Sequence, residues 1–252
     1  MVNTNLTERQ KEIVRLLAEE SGIPVSKLSK QLGVSAVTIR SDLNNLAKKG
    51  VVVRTRGGAA PAFHPNVVVR QNLRVEEKNR IAQAAADLVN DGDTIMIEAG
   101  TTTALIAKHL LGKRFVNIVT NSSLILPFAR LNPGIHLTVV GGEFRPATES
   151  FVGPIALLEL ERFHVRLAFI GTDGFSMEGG LTTNLVEGAE IVRRMAERSE
   201  RTVLIADSSK FGKMGFVHVL PVHRVKTLVT DSELPESARV ELVETGIEVI
   251  QV

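Results

Sequence analysis

Apolar residues recur at helical spacing from the beginning of the chain. Thr7 and Gln10 have the spacing of a capping box, and the apolar positions after them predict a first helix over residues 7–20. Two further stripes of the same period follow before residue 50. The positions predicted to be buried in these three helices are Ile13, Leu16, Leu17, Leu28, Leu32, Ile39, Leu43 and Leu46.

Polar and glycine residues mark the ends of the second and third helices. Ser26 can cap the second helix, which Gly33 closes, and Ser35 can cap the third, which ends at Gly50. Residues 51–58 are apolar and basic and lead into a glycine turn, as expected for a strand of a hairpin. Three short helices followed by a basic hairpin predict a winged helix-turn-helix.

The remainder of the chain alternates helices with short apolar strands, which predicts a mainly parallel α/β sheet. Predicted helices cover residues 76–90, 102–111, 124–131 and 186–198, and predicted strands cover residues 94–97, 116–120, 137–140, 165–170, 203–206, 227–229 and 248–250. We therefore expect a winged helix-turn-helix domain at 1–58, a linker at 59–73 stiffened by Pro61 and Pro65, and an α/β domain at 74–252.

The outward face of the third predicted helix suits a DNA major groove. Its small and amide side chains allow close approach, so Val37 could meet a thymine methyl group while Arg40 or Asn44 bonds base edges or phosphates. Arginines of the predicted wing would contact phosphate or the minor groove. The candidate DNA-binding residues are Ser35, Ala36, Val37, Thr38, Arg40, Ser41, Asn44, Arg54 and Arg56.

Charge divides the chain in the same place as the pattern does. Residues 1–57 contain ten Lys or Arg against five Asp or Glu, a balance of +5, whereas the rest of the chain sums to −3. A basic head on a mildly acidic body is typical of a polyanion-binding module attached to a different one. The alternative is a helical interaction domain whose polar face is merely solvated. The caps, the tight turn before Ser35 and the basic wing together favour DNA binding.

Composition excludes several other classes of protein. Cysteine is absent, which excludes disulfides, zinc–thiolate sites and cysteine nucleophiles. The six histidines show no helical ligand pair, so we expect no metal and no cofactor. The longest apolar runs are far shorter than the roughly 18 residues of a membrane span, and the N-terminus has no secretory pattern, which predicts a cytoplasmic protein without membrane contact.

Small polar residues follow five of the predicted strands, at 98–103, 120–123, 141–145, 171–174 and 207–212. In parallel sheets, ligands bind beyond the carboxyl ends of the strands. The loop at 100–103 opens a predicted helix, so its amides and the helix dipole could hold a phosphate, with Lys210 and Arg145 as cationic partners. One such loop is ordinary turn chemistry, but five at one edge predict a ligand site.

Residues 33–43, GVSAVTIRSDL, and 54–59, RTRGGA, resemble the signature of the DeoR-type bacterial transcriptional regulators, and the likeness extends over nearly the whole chain. The resemblance implies a repressor of sugar or carbohydrate catabolic genes that binds double-stranded operator DNA and is released by a phosphorylated sugar. This chain has Arg40-Ser41 where the family commonly has two consecutive arginines, so the operator sequence cannot be copied from relatives.

The same resemblance implies an α+β winged helix-turn-helix head joined to an α/β sensor domain that is similar in fold to ribose-5-phosphate isomerase and the coenzyme A transferases. By the family's pattern, the loop at 100–103 matches the phosphate loop, and the pocket's polar groups are expected at Asn121, Ser122, Asp173 and Lys210. Arg145 belongs to this set unless it pairs with Glu143 or Glu149 at the surface. The candidate effector-binding residues are Gly100, Thr101, Thr102, Thr103, Asn121, Ser122, Arg145, Asp173 and Lys210.

Two other functions are consistent with parts of this pattern. An active sugar-phosphate isomerase with a fused DNA-binding head would use Asp173 as a base and Glu98 or Glu187 as an acid. We favour Asp173 as a hydroxyl-binding carboxylate and expect no catalytic residue, because a regulator needs differential binding and not turnover. A purely architectural DNA-binding protein would need no pocket. A single small head binds DNA weakly, so we also expect a homo-oligomer.

Overall fold

The computed structural model describes residues 6–20 and 22–252, which form two compact units. One contains the described residues up to Leu73 together with 146–148, and the other contains 74–145 and 149–252. No helix in these described ranges is both long and apolar enough to cross a membrane.

The first unit is a three-helix head with a hairpin and one further helix. Its elements are α1 (Glu8–Glu19), α2 (Val25–Leu32), α3 (Ala36–Lys48), β1 (Val52–Thr55), β2 (Gly58–Pro61) and α4 (Pro65–Asn72). The predicted capping box of Thr7 and Gln10 is present, Ser35 caps α3, and Gly33 ends α2 in the left-handed conformation. The prediction that Ser26 caps α2 is wrong, because the N-cap is Pro24 and the helix begins two residues earlier than a Ser26 cap requires.

Residues 59–73 contain regular structure where the sequence predicts a linker. Ala59 is fully buried in β2, and α4 begins with Pro65. Proline fits the first position of a helix because the missing N–H has no helical partner there, so Pro65 begins an element and does not interrupt one. Phe63 and Val68 pack against the head's core, which gives this segment an apolar reason to fold.

Apolar side chains from all three head helices meet in one core. Ile13, Leu17, Leu28, Ile39 and Leu43 are fully buried there, as the helical spacing predicts. The core fixes which face of α3 points outward.

A buried carboxylate joins α1 to α3. The Nε of Arg9 lies 2.6 Å from Oδ2 of Asp42, and Gln10 donates to Oδ1 of the same side chain at 3.4 Å. The hydrogen bond to Asp42 and the negative charge of that carboxylate raise the pKa of Arg9 above its ordinary value. This contact holds α3 in place on the side opposite its exposed face.

The second unit is built on a seven-stranded parallel sheet. The strands of the whole unit, inside and outside that sheet, are β3 (Thr94–Ile97), β4 (Val116–Thr120), β5 (Ile135–Val139), β6 (Glu143–Arg145), β7 (Ser150–Val152), β8 (Val165–Ile170), β9 (Gly174–Ser176), β10 (Gly180–Thr183), β11 (Ser199–Ile205), β12 (Val217–Leu220), β13 (Thr227–Thr230) and β14 (Glu248–Gln251). The parallel sheet has the order β14–β13–β11–β8–β3–β4–β5. Strands β6 and β7 form a hairpin, and β9, β10 and β12 form a small antiparallel sheet.

Helices cover both faces of the parallel sheet. They are α5 (Val75–Asp87), α6 (Ile106–His109), α7 (Leu126–Ala129), α8 (Pro154–Leu160), α9 (Val186–Glu197) and α10 (Glu236–Glu244). Alternate residues of β3 enter different cores: Ile95 and Ile97 pack with α5 and α6, and Met96 packs with α8 and α9. Strands buried on both faces explain the near-continuous apolar runs in the sequence.

Several predicted elements differ from the structure in length. The helix expected over 102–111 is a 3-10 turn, Thr103–Leu105, followed by the single turn of α6. The sequence pattern missed β6, β7, β9, β10 and β12, because these short strands lie outside the alternation of helices with parallel strands. It also missed α10, whose apolar residues are divided between a buried side and an exposed side.

Candidate DNA-binding surface and ligand site

The outward face of α3 carries the residues predicted to contact DNA. Val37 is 72% exposed, and Arg40, Ser41 and Asn44 are exposed on the same helix. The hydroxyls of Ser35 and Thr38 form hydrogen bonds within the N-cap of α3. The Ser35 hydroxyl accepts from the Thr38 amide at 3.1 Å, and the two hydroxyl oxygens are 2.9 Å apart. The remaining predicted DNA-binding residue of α3 is Ala36, which is half-buried and packs against the core.

The hairpin of β1 and β2 is a wing anchored to α2. Its turn places Arg54 opposite Ala59 and leaves Arg54 and Arg56 exposed. The amide of Val25 donates to the carbonyl of Gly57 at 3.0 Å. A Cβ at Gly58 would lie 2.5 Å from the Ile23 carbonyl oxygen, so only glycine allows the wing to approach α2 this closely.

Three arginines on this surface are without an ion pair. None of Arg40, Arg54 and Arg56 lies within 4.0 Å of a carboxylate in the part of the chain that the structure describes. No described residue therefore neutralises their charges. An apolar tip on α3 flanked by unneutralised arginines is a surface suited to a duplex.

The five polar loops predicted to form a ligand site follow five neighbouring strands. Loops 207–212, 171–174, 98–103, 120–123 and 141–145 follow β11, β8, β3, β4 and β5, which is their order across the sheet. Because the strands are parallel, all five loops lie at the carboxyl edge. Glu98 joins two of them, since its Oε2 accepts from the Gly171 amide at 3.1 Å.

The loop at 100–103 is a tight turn with two available hydroxyl groups. Thr103 is buried, and its hydroxyl donates to the Glu98 carbonyl at 2.7 Å. Thr101 and Thr102 are half-buried, and their side chains bond to no other described residue. Gly100 is packed closely, because a Cβ there would lie 2.7 Å from the Thr103 hydroxyl. The short 3-10 turn that follows offers backbone amides without the long helix dipole that we expected.

Asn121 and Ser122 are buried beneath the edge. Asn121 accepts from the Ala99 amide at 2.9 Å and donates to the Phe151 carbonyl at 3.2 Å, so it joins the loops after β3 and β4 to β7. Ser122 is fully buried, and its amide donates to the Thr120 hydroxyl at 3.1 Å. The structure thus places both residues where they shape the loops.

Asp173 and Arg145 both have protein partners. Oδ2 of Asp173 accepts from the Thr183 hydroxyl at 3.0 Å and from the Asn184 amide at 2.9 Å. Arg145 pairs with Glu143 at 3.1 Å and with Glu187 at 2.5 Å. A bond from its own backbone and the bond from Arg145 hold the pKa of Glu187 below its ordinary value. Of the surface pairings considered for Arg145, the one with Glu143 is present.

Lys210 differs from these residues, because no described carboxylate neutralises its ammonium. It ends a 3-10 turn, Ser208–Lys210, that the Asp207 carboxylate caps through the Ser209 amide at 3.1 Å. Lys210 is half-buried and forms no ion pair with any carboxylate in the described ranges. A rigid turn therefore holds a cation at the same edge as the loop at 100–103.

Sequence reasoning missed an arginine that fixes this turn. Nη2 of Arg74 lies 3.1 Å from Asp231 and 2.9 Å from Glu233, and Nε lies 3.5 Å from Asp207. Asp231 is fully buried, follows β13 and accepts from the Ser208 amide at 2.7 Å. Only a carboxylate directly after an apolar strand, as at Asp231, could have indicated this cluster.

The electrostatics of Asp231 follow from those contacts. Burial raises the pKa of Asp231, but the bonds from Ser208 and Glu233 and the charge of Arg74 outweigh it and leave the pKa below its ordinary value. Arg74 itself has a left-handed backbone with φ of 51°, which is unusual for a residue other than glycine.

Nowhere in residues 6–20 and 22–252 do three His, Asp or Glu side chains come together as a metal site. The carboxylates of this edge, such as Glu98 and Asp173, accept from the protein's own amides, whereas its hydroxyls, its other amides and Lys210 are donors suited to an anion.

Two protein-family models match the chain. Residues 9–62 match the DeoR-like helix-turn-helix domain, and residues 73–232 match the DeoR C terminal sensor domain. The two matches correspond to the head and to most of the α/β unit.

Curated relatives match over almost their whole length. The chain is 32% identical over 255 residues to a putative aga operon transcriptional repressor of Escherichia coli O157:H7, covering 99% of this chain and 95% of the relative. It is 33% identical to the HTH-type transcriptional regulator GlpR of Haloferax volcanii, covering 96% of each. Among solved structures, ribose 5-phosphate isomerase A of Methanocaldococcus jannaschii is 22% identical with a TM-score of 0.40 over 54% of each chain.

Proposed function

Because this chain belongs to the DeoR family of DNA-binding transcriptional repressors, we propose that a phosphorylated sugar binds its sensor domain and releases it from the operator of carbohydrate catabolic genes. The family consists of regulators and not enzymes, so the isomerase alternative is set aside. One relative is named as a putative aga operon transcriptional repressor, which supports an operon as the target here.

The observation that carries the sensing half is the half-buried Lys210 at the edge that also holds the loop at 100–103. A phosphate ester is the metabolite group that matches a lysine beside backbone amides and the hydroxyls of Thr101 and Thr102. The rest of a sugar would contact the remaining polar loops. In this proposal Asn121, Ser122 and Asp173 shape the pocket, and Arg145 contributes only if it leaves Glu143 and Glu187.

The test of sensing is a thermal-stability screen of the full chain. The panel contains sugar phosphates, the same sugars without phosphate, and inorganic phosphate. We expect one or a few sugar phosphates to stabilise the sensor domain, by about 2.7 kcal/mol at a hundred times the Kd, and to be recovered unchanged. Equal stabilisation by the unphosphorylated sugar would contradict a phosphate site. No shift with any member of the panel would contradict sugar-phosphate sensing.

For DNA binding we propose that α3 enters the major groove and the wing contacts the backbone. Val37 and Asn44 would read base edges, because both are exposed on the face that the buried core directs outward. Arg40 lies beside them, and Arg54 and Arg56 extend the contact along the wing.

Loss of one wing arginine is expected to weaken binding to every sequence. Arg54→Ala and Arg56→Ala each remove one cation from the phosphate backbone and should lower the slope of log K against log salt concentration by about one. The measurement is affinity for an operator selected from a random-sequence library, and for random duplex, over a series of salt concentrations.

Arg162→Ala is the matched control for the wing variants, because Arg162 is an exposed arginine of the sensor domain. It should leave the salt slope unchanged. If both wing variants retain the wild-type slope as well, the wing does not contact DNA.

A further inference from the structure

Three large apolar side chains are exposed together at the amino ends of β4 and β5, on the edge of the sheet opposite the ligand loops. Leu111 is 69% exposed, Phe115 70% and Leu131 67%. Leu111 and Phe115 line a groove of about 560 Å³ whose other wall begins directly after Leu131. Surface apolar residues are ordinary when scattered, but a cluster beside a groove is typical of a binding surface.

Hydrogen bonds tie the walls of the groove to each other and to the rest of the domain. The amide of Arg114 donates to Asp91 at 2.9 Å, and Asn132 joins the two walls by donating to the Leu110 carbonyl at 2.8 Å. Phe115 has a left-handed φ of 59°, which is unusual for an aromatic residue. Burial within the chain does not account for this conformation, because the ring points to solvent. An exposed aromatic ring beside a groove is the kind of anchor that interfaces use.

The charge of the groove restricts what can occupy it. Lys113, Arg114 and His136 line it, and its lining has no acidic residue. Lys113 and Arg114 form no ion pair with any described carboxylate. The occupant should therefore carry apolar and acidic side chains together. Two grooves facing each other would bring like charges together, which disfavours a symmetric contact of this surface with itself.

Helix α10 has the complementary surface. Ala238 and Leu242 face the sheet, while Val240 and Val243 are exposed on the other side. Glu244 lies beside these two valines at helical spacing and forms no ion pair among the described residues. The helix packs near β14, the strand at the far edge of the sheet from β5.

We propose that α10 of one copy docks into the groove of a second copy, with Val240 and Val243 against Phe115 and with Glu244 near Arg114. The groove lies beside β5 and α10 lies beside β14, which are the two outermost strands of the sheet, so each copy presents both surfaces. Contacts of this head-to-tail kind join copies into rings or longer chains. An apolar ridge with Glu244 on one side, docked in an apolar groove with basic flanks, is a helix-in-groove contact.

Sedimentation of the full chain over a range of concentrations tests the proposal. Wild type should associate, whereas Arg114→Glu and Val240→Lys should each raise the dissociation constant tenfold or more while retaining the wild-type circular dichroism. Phe115→Asn should raise the dissociation constant by a similar factor. This variant should retain the fold, because asparagine tolerates the left-handed backbone at this position. Arg162→Glu, at an exposed arginine outside the groove, is the control and should associate like wild type.

Mixing distinguishes a head-to-tail contact from a symmetric one. Arg114→Glu copies keep an intact α10, and Val240→Lys copies keep an intact groove, so the mixture should form pairs and nothing larger. The double variant Arg114→Glu with Glu244→Arg should recover association. A monomeric wild type, a mixture that stays monomeric, or a double variant no better than Arg114→Glu would overturn the proposal. So would an Arg114→Glu variant that associates normally but binds DNA less tightly, because the groove would then be a nucleic-acid contact.

Discussion

Lys210→Ala is expected to weaken the response to the effector about ten- to a hundredfold while leaving operator affinity nearly unchanged. The variant loses one charge-assisted bond to the ligand's phosphate, which is worth about 1.5–3 kcal/mol. A ligand shifts the DNA-binding equilibrium only through its different affinities for the two states of the protein, so weaker binding moves the response to higher concentration. The measurement is operator binding titrated with the sugar phosphate that gives the largest thermal shift.

Lys213→Ala is the matched control for that experiment. Lys213 is an exposed lysine three residues further along the same loop and, like Lys210, has no ion pair with a described carboxylate. Its replacement should leave both the effector response and operator affinity unchanged. If Lys210→Ala responds at the wild-type concentration, Lys210 is a structural lysine and the proposed pocket is wrong.

Arg74→Ala should destabilise the sensor domain by about 3 kcal/mol at neutral pH. Removal of one partner of a buried ion pair costs about 3–5 kcal/mol, because the other charge stays buried without its partner. The lower end applies here, since the Ser208 and Glu233 amides still bond to Asp231. Urea unfolding of the full chain, followed through the sensor-domain transition, measures the change. Arg239→Ala removes an exposed pair with Glu236 and should change stability by less than about 1 kcal/mol.

The effect of Arg74→Ala should shrink in acid. Asp231 has a folded-state pKa below its ordinary value, so its contribution to stability is present above about pH 4 and is lost as pH falls through the folded pKa. A protonated Asp231 has no charge for Arg74 to neutralise. The stability difference between wild type and variant should therefore be largest at neutral pH and should narrow below pH 4. A difference that is constant with pH would mean that Arg74 acts through packing alone.

The head was the more predictable half of the fold. Its helix ends depend on local chemistry, such as the Thr7 and Ser35 caps and the left-handed Gly33, and these are visible in a few consecutive residues. The error at Pro24 has the same origin, because serine is the usual cap and the sequence gives no sign that the helix begins two residues earlier. The segment at 59–73 was misjudged because its order comes from Val68 packing on a distant core.

In the sensor domain, the alternation of apolar strands predicted the long parallel strands and the edge at which polar loops meet. The same reasoning could not assign the polar side chains to roles. Asn121 and Asp173 have the residue types of ligand contacts, yet their partners are the protein's own amides and hydroxyls. Arg74 was out of reach altogether, since it contacts Asp231 across 157 residues of sequence.

The close contact between Gly58 and Ile23 has a consequence for how a signal can act. The wing cannot swing away from α2 without breaking the bond between Val25 and Gly57, and the buried Asp42 ties α1 to α3. We therefore expect the distance between the DNA contacts of α3 and those of the wing, within one head, to be the same with and without effector. The quantity left for a metabolite to change is the spacing between the heads of two copies. Inserting single base pairs between half-sites should consequently alter repression more than changing bases that the wing touches.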